Sequence, residues 1–153
     1  MPVGDSAIKF QKAYSVNEVP SEIKKHLEIP QSSGYFLNSV FTYQKQKEFS
    51  AQEDRVEYVY EHAKVPGATV RLVRTPVISI SFPPIPDTTQ KFYYEELSGL
   101  KRSVYYAYRS KNYGSHEVVW QDRNHNYLLL VKPTSWTNRE WFLRFLGSYL
   151  ELT

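Results

Sequence analysis

Apolar and polar side chains alternate over residues 55–65, and this pattern constrains the fold more than any other feature of the sequence. One set of alternate positions holds Val56, Tyr58, Tyr60 and His62, and the other holds Glu57, Val59 and Glu61. Successive side chains of a β-strand point to opposite faces, so this period of two predicts a strand in a sheet with one wetter face. Aromatic residues make up 16% of the chain, and its 13 tyrosines and 8 phenylalanines also favour strands.

Strand-like segments recur along most of the chain. They cover residues 35–49, 69–74, 77–82, 91–97, 101–111, 117–121 and 127–132, separated by turns and by the proline-rich loop 83–87. The last two segments flank a polar turn, which predicts a β-hairpin in which Trp120 and Tyr127 pack on the same region of the sheet. Residues 1–15 are expected to be loose or to lie at an edge, and a short helix is expected within residues 16–27.

The residues after Thr137 predict the clearest helix of the chain. Thr137 and Glu140 match a capping box, in which the threonine oxygen accepts the backbone N–H of the glutamate. An apolar stripe follows at helical spacing and consists of Phe142, Phe145, Leu146 and Tyr149. Such a stripe on a terminal helix most simply covers a sheet. We therefore expect a single α+β domain over residues 1–153, with one strongly curved, half-barrel-like antiparallel sheet of about six to eight strands and the C-terminal helix packed on one face.

Composition and charge exclude several classes of protein. The chain has no cysteine, which excludes a disulfide framework, a thiolate nucleophile and a zinc–cysteine site. No run approaches the roughly 18 apolar residues of a membrane-spanning helix. The net charge of +3, from 19 basic and 16 acidic side chains, is well below that of a dedicated nucleic-acid surface. The first residues show no signal-peptide pattern, so we expect either a cytoplasmic protein or one whose leader or anchor is not part of this sequence.

The sequence contains no motif for a catalytic, metal or cofactor site. Residues 122–126 begin like a calcium-binding loop, but Tyr127 and Pro133 stand where that loop needs glycine and glutamate. The four histidines lack metal-ligand spacing. The adjacent carboxylates of Glu95 and Glu96 point to opposite faces of a strand, so they do not form an acid–base pair. We therefore predict no catalytic residues, no metal ligands and no cofactor.

The strand at residues 101–111 combines aromatic and basic side chains. In nucleic-acid-binding sheets, aromatic rings stack on bases while cations hold phosphates. The candidates for these roles are Tyr105, Arg109, Lys111 and Tyr113. The simpler interpretation is that Tyr106 and Tyr108 pack beneath the helix while the intervening side chains face solvent.

The order of several landmark residues resembles a known family. Pro30 and Gly34-Tyr35 open a first strand, and Gly99 precedes a late strand. Residues 120–127 hold a strand with a tryptophan, then a polar turn, then a strand with a tyrosine. A capped helix occupies residues 137–150. The pattern resembles a domain of unknown function in Gram-positive bacterial lipoproteins and in the outer regions of anti-sigma-factor-like membrane proteins. These are similar in turn to half-barrel carriers and sensors of the lipoprotein-sorting type. The resemblance implies a curved antiparallel sheet with helices on its concave side and a binding or sensing role without catalysis.

The favoured hypothesis is a non-enzymatic cell-envelope module that binds a protein or an apolar ligand in a groove between sheet and helix. The expected ligand-binding residues are Trp136, Trp141, Tyr106 and Tyr108. We expect an extracytoplasmic location, with membrane attachment through an anchor outside this sequence, and the cytoplasm is the alternative. The runner-up function is nucleic-acid binding by the strand around residues 105–113. A third possibility, an enzyme built from scattered residues, requires His62 or His116 beside a carboxylate.

Overall fold

The computed structural model describes residues 10–24, 34–50, 53–76, 95–97, 104–109, 115–121, 125–132, 134 and 136–152. Its strands are β1 (Phe10–Ser15), β2 (Tyr35–Gln44), β3 (Arg55–His62), β4 (Thr69–Pro76), β5 (Glu95–Leu97), β6 (Val104–Arg109), β7 (Ser115–Gln121) and β8 (His125–Val131). Its helices are α1 (Ser21–Lys24) and α2 (Arg139–Leu152), and a 3-10 turn at Val16–Glu18 follows β1.

The eight strands within these described residues form an antiparallel sheet in the order β1-β2-β3-β4-β8-β7-β6-β5. Two meanders start at opposite edges of the sheet and meet where β4 pairs with β8. The predicted α+β class, with an antiparallel sheet and a C-terminal helix, is confirmed. The predicted hairpin is also confirmed, because β7 pairs with β8 and Trp120 lies opposite Tyr127. The strand expected at residues 77–82 and the loop at 83–87 lie outside the described residues.

One face of the sheet, which we call the inner face, carries the hydrophobic core. It is defined by a row of register partners that runs through Val40, Tyr58, Leu72, Leu129, Val118 and Tyr106. All of these side chains are buried. Burial of one large apolar side chain contributes about 1.5–3 kcal/mol, so the row is a major source of stability.

Strand β2 contains a β-bulge, and because of it side chains on both sides of the bulge lie on the inner face. The register between β2 and β3 shifts between Leu37 and Ser39, which leaves Asn38 as the extra residue. Because of this insertion, Tyr35 at an odd position and Val40 at an even position are both buried core residues. Regular alternation from Tyr35 would instead place Val40 on the opposite face.

Helix α2 has a different N-cap from the predicted one. The Asn138 side-chain oxygen accepts the backbone N–H of Trp141 at 2.8 Å, which makes Asn138 the cap. The predicted capping box that begins at Thr137 is therefore wrong. The Thr137 hydroxyl instead accepts the backbone N–H of Thr134 at 2.5 Å. This bond stabilises the turn that leads into the helix.

Candidate functional site

Aromatic side chains from β2, β3 and the segment around α2 lie close together where β2 begins and β3 ends. Tyr35 and His62 are register partners and pack edge-to-face, with ring centroids 5.1 Å apart. The Trp136 ring lies 5.1 Å from His62, and the Trp141 ring lies 6.2 Å from Tyr35. Trp141 also stacks on Phe145, at 5.1 Å between centroids. We call these five residues the aromatic cluster.

The two indoles of the aromatic cluster are partly accessible. Trp136 and Trp141 are half-buried and pack against the core, whereas Tyr35 and Phe145 are buried within it. A half-covered indole presents apolar surface together with an N–H donor. The two tryptophans selected from the sequence are thus linked through Tyr35 and His62, with accessible surface on both.

The ring of Phe142 lies deeper than the aromatic cluster and is fully buried. It stacks on His116 of β7 at 4.9 Å between centroids and lies 5.2 Å from Tyr106 of β6. Its centroid is also 6.4 Å from those of Trp141 and Phe145. Phe142 therefore connects the aromatic cluster to the side chains of β6 and β7.

His116 is buried and hydrogen-bonded through both ring nitrogens. Nε2 lies 2.5 Å from the carbonyl oxygen of Thr137, and Nδ1 lies 2.8 Å from the Tyr106 hydroxyl. A carbonyl group only accepts hydrogen bonds, so we assign the proton to Nε2, and Nδ1 then accepts from the tyrosine hydroxyl. Burial lowers the pKa of His116 below its ordinary value of 6.5, and the bond to Thr137 partly opposes this effect. A neutral imidazole thus links β6 and β7 to the segment before α2.

Gly34 brings the backbone close to the His62 ring. Its φ is +83°, and a Cβ added there would lie 2.6 Å from Nε2 of His62. The Gly34 carbonyl also accepts the backbone N–H of Ala63 at 2.9 Å, which ties the start of β2 to the end of β3. Glycine alone combines easy access to this φ with the absence of a Cβ, so it positions His62 in the aromatic cluster.

We expect Gly34→Ala to lower the free energy of unfolding by about 2 kcal/mol, because a left-handed backbone costs alanine about 1–2 kcal/mol and the methyl group must also displace His62. Gly67→Ala is the matched control, since Gly67 has a φ of +88° but no atom within 4 Å of the added Cβ. Urea-unfolding curves measure both losses. Equal losses of unfolding free energy in the two variants would show that the contact with His62 does not contribute to the need for glycine at position 34.

The structure places the other two expected ligand-binding residues differently from the tryptophans. Tyr106 is 6% exposed and its hydroxyl is bonded to His116. Tyr106 therefore contacts Phe142 within the core and has little exposed surface with which to bind a ligand. Tyr108 lies opposite His116 in the register, and its side chain falls outside the described part of the chain.

The residues of the nucleic-acid alternative are only partly covered by the described residues. Tyr105 is half-buried and lies opposite Glu96 in the register. Arg109 ends β6 opposite Ser115, and its side chain falls outside the described part of the chain. Lys111 and Tyr113 lie outside the described residues. Of these four candidates, the structure therefore describes only the side chain of Tyr105.

Sequence patterns select neither His62 nor Arg74 as a binding residue. The structure places His62 in the aromatic cluster and Arg74 among the buried residues of β4. The alternation of Val70, Leu72 and Arg74 is a signal that could have identified the arginine, because it places all three on one face. No local signal identifies the contact of His62 with Trp136, since the two residues are distant in sequence.

Within the described residues, no group of three His, Asp or Glu side chains is arranged to hold a metal ion. No helix in that part of the chain is both long enough and apolar enough to cross a membrane. The two histidines considered for catalysis bond to groups other than carboxylates. His62 Nδ1 accepts the backbone N–H of Lys64 at 3.1 Å, and His116 bonds to Tyr106 and Thr137.

Comparisons with protein-family models, with curated proteins and with solved structures find no match to this chain. The resemblance to lipoprotein and anti-sigma-factor-like domains therefore stays a prediction.

Proposed function

We propose that the protein is a non-catalytic binding module that takes up an apolar ligand between α2 and the inner face of the sheet. In this proposal the sheet curves as a half-barrel, and α2 covers one end of its concave face. The contacts of Phe142 with Tyr106 and His116 support this placement of α2. The observation that carries the proposal is the pair of half-buried indoles, Trp136 and Trp141, which pack against the buried core.

The chemistry of the aromatic cluster favours a small apolar ligand over a protein partner. Ligand sites are lined mainly by apolar and aromatic side chains with a few polar groups, and the cluster has this composition. A protein-docking surface more often has a large continuous apolar patch. The exposed large apolar residues of the described part are instead distributed over β1, β2, the turn after β3 and α2: Phe10, Phe36, Val65 and Leu143.

We also propose that the protein acts on the outer side of the cell membrane, through an anchor outside this sequence. The absence of cysteine is compatible with export, and the resemblance to lipoprotein domains supports the same location. Cell fractionation of the full gene product, with protease treatment of intact cells, tests this proposal. Recovery in the cytosolic fraction, protected from the protease, would favour the cytoplasmic alternative.

We expect the neutral apolar dye N-phenyl-1-naphthylamine to bind at the aromatic cluster, where it can receive excitation energy from the tryptophans. Trp141→Ala should weaken dye binding about tenfold, because it removes contact surface worth about 1–2 kcal/mol. Fluorescence titration of the dye with excitation of tryptophan measures the affinity.

Leu143→Ala is the matched control for this experiment. Leu143 lies on the same helix and is exposed, so its truncation should leave the dye affinity unchanged. Urea unfolding shows whether Trp141→Ala and Leu143→Ala are both folded at the temperature of the titration. Failure of the dye to bind the unaltered protein, or equal losses in the two variants, would contradict the proposal.

No specific observation favours the nucleic-acid alternative. Glu117 of β7 lies on the same face as Tyr105 by register, and acidic side chains repel phosphate groups. Oligonucleotide binding that weakens with salt and with Arg109→Ala would nevertheless replace the present proposal.

A further inference from the structure

Strand β4 carries a positive charge into the inner face. Val70, Leu72 and Arg74 are buried at alternate positions of this strand. The register places Arg74 between Val56 of β3 and Tyr127 of β8. Only 2% of the Arg74 surface is exposed, so this charged side chain is buried.

Within the described residues, no carboxylate forms an ion pair with Arg74. Asp54, which precedes β3, uses its two carboxylate oxygens to accept the backbone N–H groups of Lys45 and Ser50, at 3.0 and 2.7 Å. Glu95 occupies a register position on the inner face, but β5 is four strands from β4 in the sheet order. Both oxygens of Asp54 are thus bonded to backbone groups rather than to Arg74.

The positive charge of Arg74 influences the buried hydroxyl of Tyr58. Burial raises the pKa of Tyr58 to about 12, and the arginine charge opposes this rise. The same hydroxyl donates its proton to the carbonyl oxygen of Ile23. Arginine stays protonated in proteins, and a buried charge without a counter-ion strongly destabilises a fold. An anion beside Arg74 would therefore stabilise the fold, and the described residues do not supply one.

We propose that Arg74 binds the anionic head group of an amphipathic ligand whose apolar body lies along the inner face. This inference rests on the proposed function and specifies the class of ligand. A guanidinium group forms two parallel hydrogen bonds with a carboxylate or a phosphate, and such bonds are stronger where water is excluded. Tyr127, the half-buried register partner of Arg74, provides an aromatic wall beside the head group.

Arg74→Met tests whether the charge lacks a counter-ion within the protein. Methionine is apolar and similar in length, so the substitution should raise the Tm measured without added ligand by about 3 °C or more. Arg71→Met is the matched control, because Arg71 is exposed on the opposite face of β4, and its Tm should change by less than about 1 °C. A lower Tm for Arg74→Met would show that an acid of the chain already neutralises the arginine, and would overturn the proposal.

Titration with dodecanoate, dodecyl phosphate and 1-dodecanol separates the contribution of the anion from that of the apolar chain. We expect both anions to bind at least about tenfold more tightly than the alcohol, as a charged hydrogen bond typically provides. This preference should persist in Arg71→Met and disappear in Arg74→Met. Calorimetric titration below the critical micelle concentration measures the affinities.

The outcomes distinguish this inference from the proposed function. Equal affinities of the unaltered protein for the alcohol and the anions would overturn the role of Arg74 while leaving apolar-ligand binding intact. Failure of all three probes and of the naphthylamine dye to bind would contradict the proposed function itself. Binding of inorganic phosphate as tight as that of dodecyl phosphate, at equal ionic strength, would overturn the amphipathic ligand class.

Discussion

Phe142→Ala is expected to lower the free energy of unfolding by about 4 kcal/mol, within the range for truncation of a buried phenylalanine. The ring is 0% exposed, and its centroid lies 4.9 Å from that of His116 and 5.2 Å from that of Tyr106. Truncation removes these contacts and leaves a cavity. Close-packed neighbours relax only partly into such a space. Urea unfolding followed by circular dichroism measures the loss.

Leu143→Ala separates the effect of burial from the effect of alanine on helix α2. Leu143 is the next residue of the helix and is 37% exposed, so its truncation should cost less than about 1 kcal/mol. Phe142→Leu keeps most of the apolar volume and should lie between the two. Similar losses for Phe142→Ala and Leu143→Ala would mean that the helix does not depend on its contacts with β6 and β7. The proposed ligand site between helix and sheet would then lose its support.

Strands with regular alternation were predictable within a few residues. The pattern at residues 55–65 predicted a strand, and β3 spans Arg55–His62 with Tyr58 and Tyr60 buried. Trp120 and Tyr127 also pack on the same region of the sheet, as expected, and their stacked rings have centroids 5.1 Å apart. These features depend on side chains within one strand or one hairpin, so short-range spacing contains the necessary information.

Features that depend on contacts between distant segments were not predictable. The extra residue Asn38 is defined only by the register of β2 against β3. The pairing of β4 with β8 likewise has no local signal, although it joins the two meanders. At the start of α2, Thr137 and Asn138 are both good capping residues. The bonds of Thr137 to Thr134 and of its carbonyl to His116 explain why Asn138 became the cap.

In the candidate site, too, features set by local spacing were predictable, whereas features set by contacts between separate strands were not. The positions of Trp136 and Trp141 beside a helix start suggested a binding role, and both indoles are half-buried. Tyr106 was expected beside them, but the bond of its hydroxyl to His116 holds it in the core. That bond joins β6 to β7, so it could be predicted only if the pairing of these two strands was already known. The buried position of Arg74, by contrast, follows from alternation within β4 alone.

His116→Ala is expected to lower the free energy of unfolding by about 3 kcal/mol at neutral pH. The substitution leaves the Tyr106 hydroxyl and the Thr137 carbonyl without their partner, and each orphaned buried group costs about 1–3 kcal/mol. It also removes the ring that stacks on Phe142. Water that enters the cavity can recover part of this loss. Urea unfolding at neutral pH measures the effect.

His116→Gln tests the charge state of this residue as well as its bonds. Glutamine offers a donor for the Thr137 carbonyl and an acceptor for the Tyr106 hydroxyl, but it does not titrate. Since burial lowers the pKa of His116 in the folded protein, the unfolded chain binds more protons below the ordinary value of 6.5. Its contribution to stability is therefore complete above that pH and decreases as the pH falls toward the lowered pKa of the folded state.

The expected result is a steeper loss of stability in the unaltered protein than in His116→Gln when the pH is lowered from about 7.5 to about 5.5. If His116→Gln loses stability as steeply as the unaltered protein, the pKa of His116 is the same in the folded and unfolded chains. The lowering of this pKa by burial would then be contradicted.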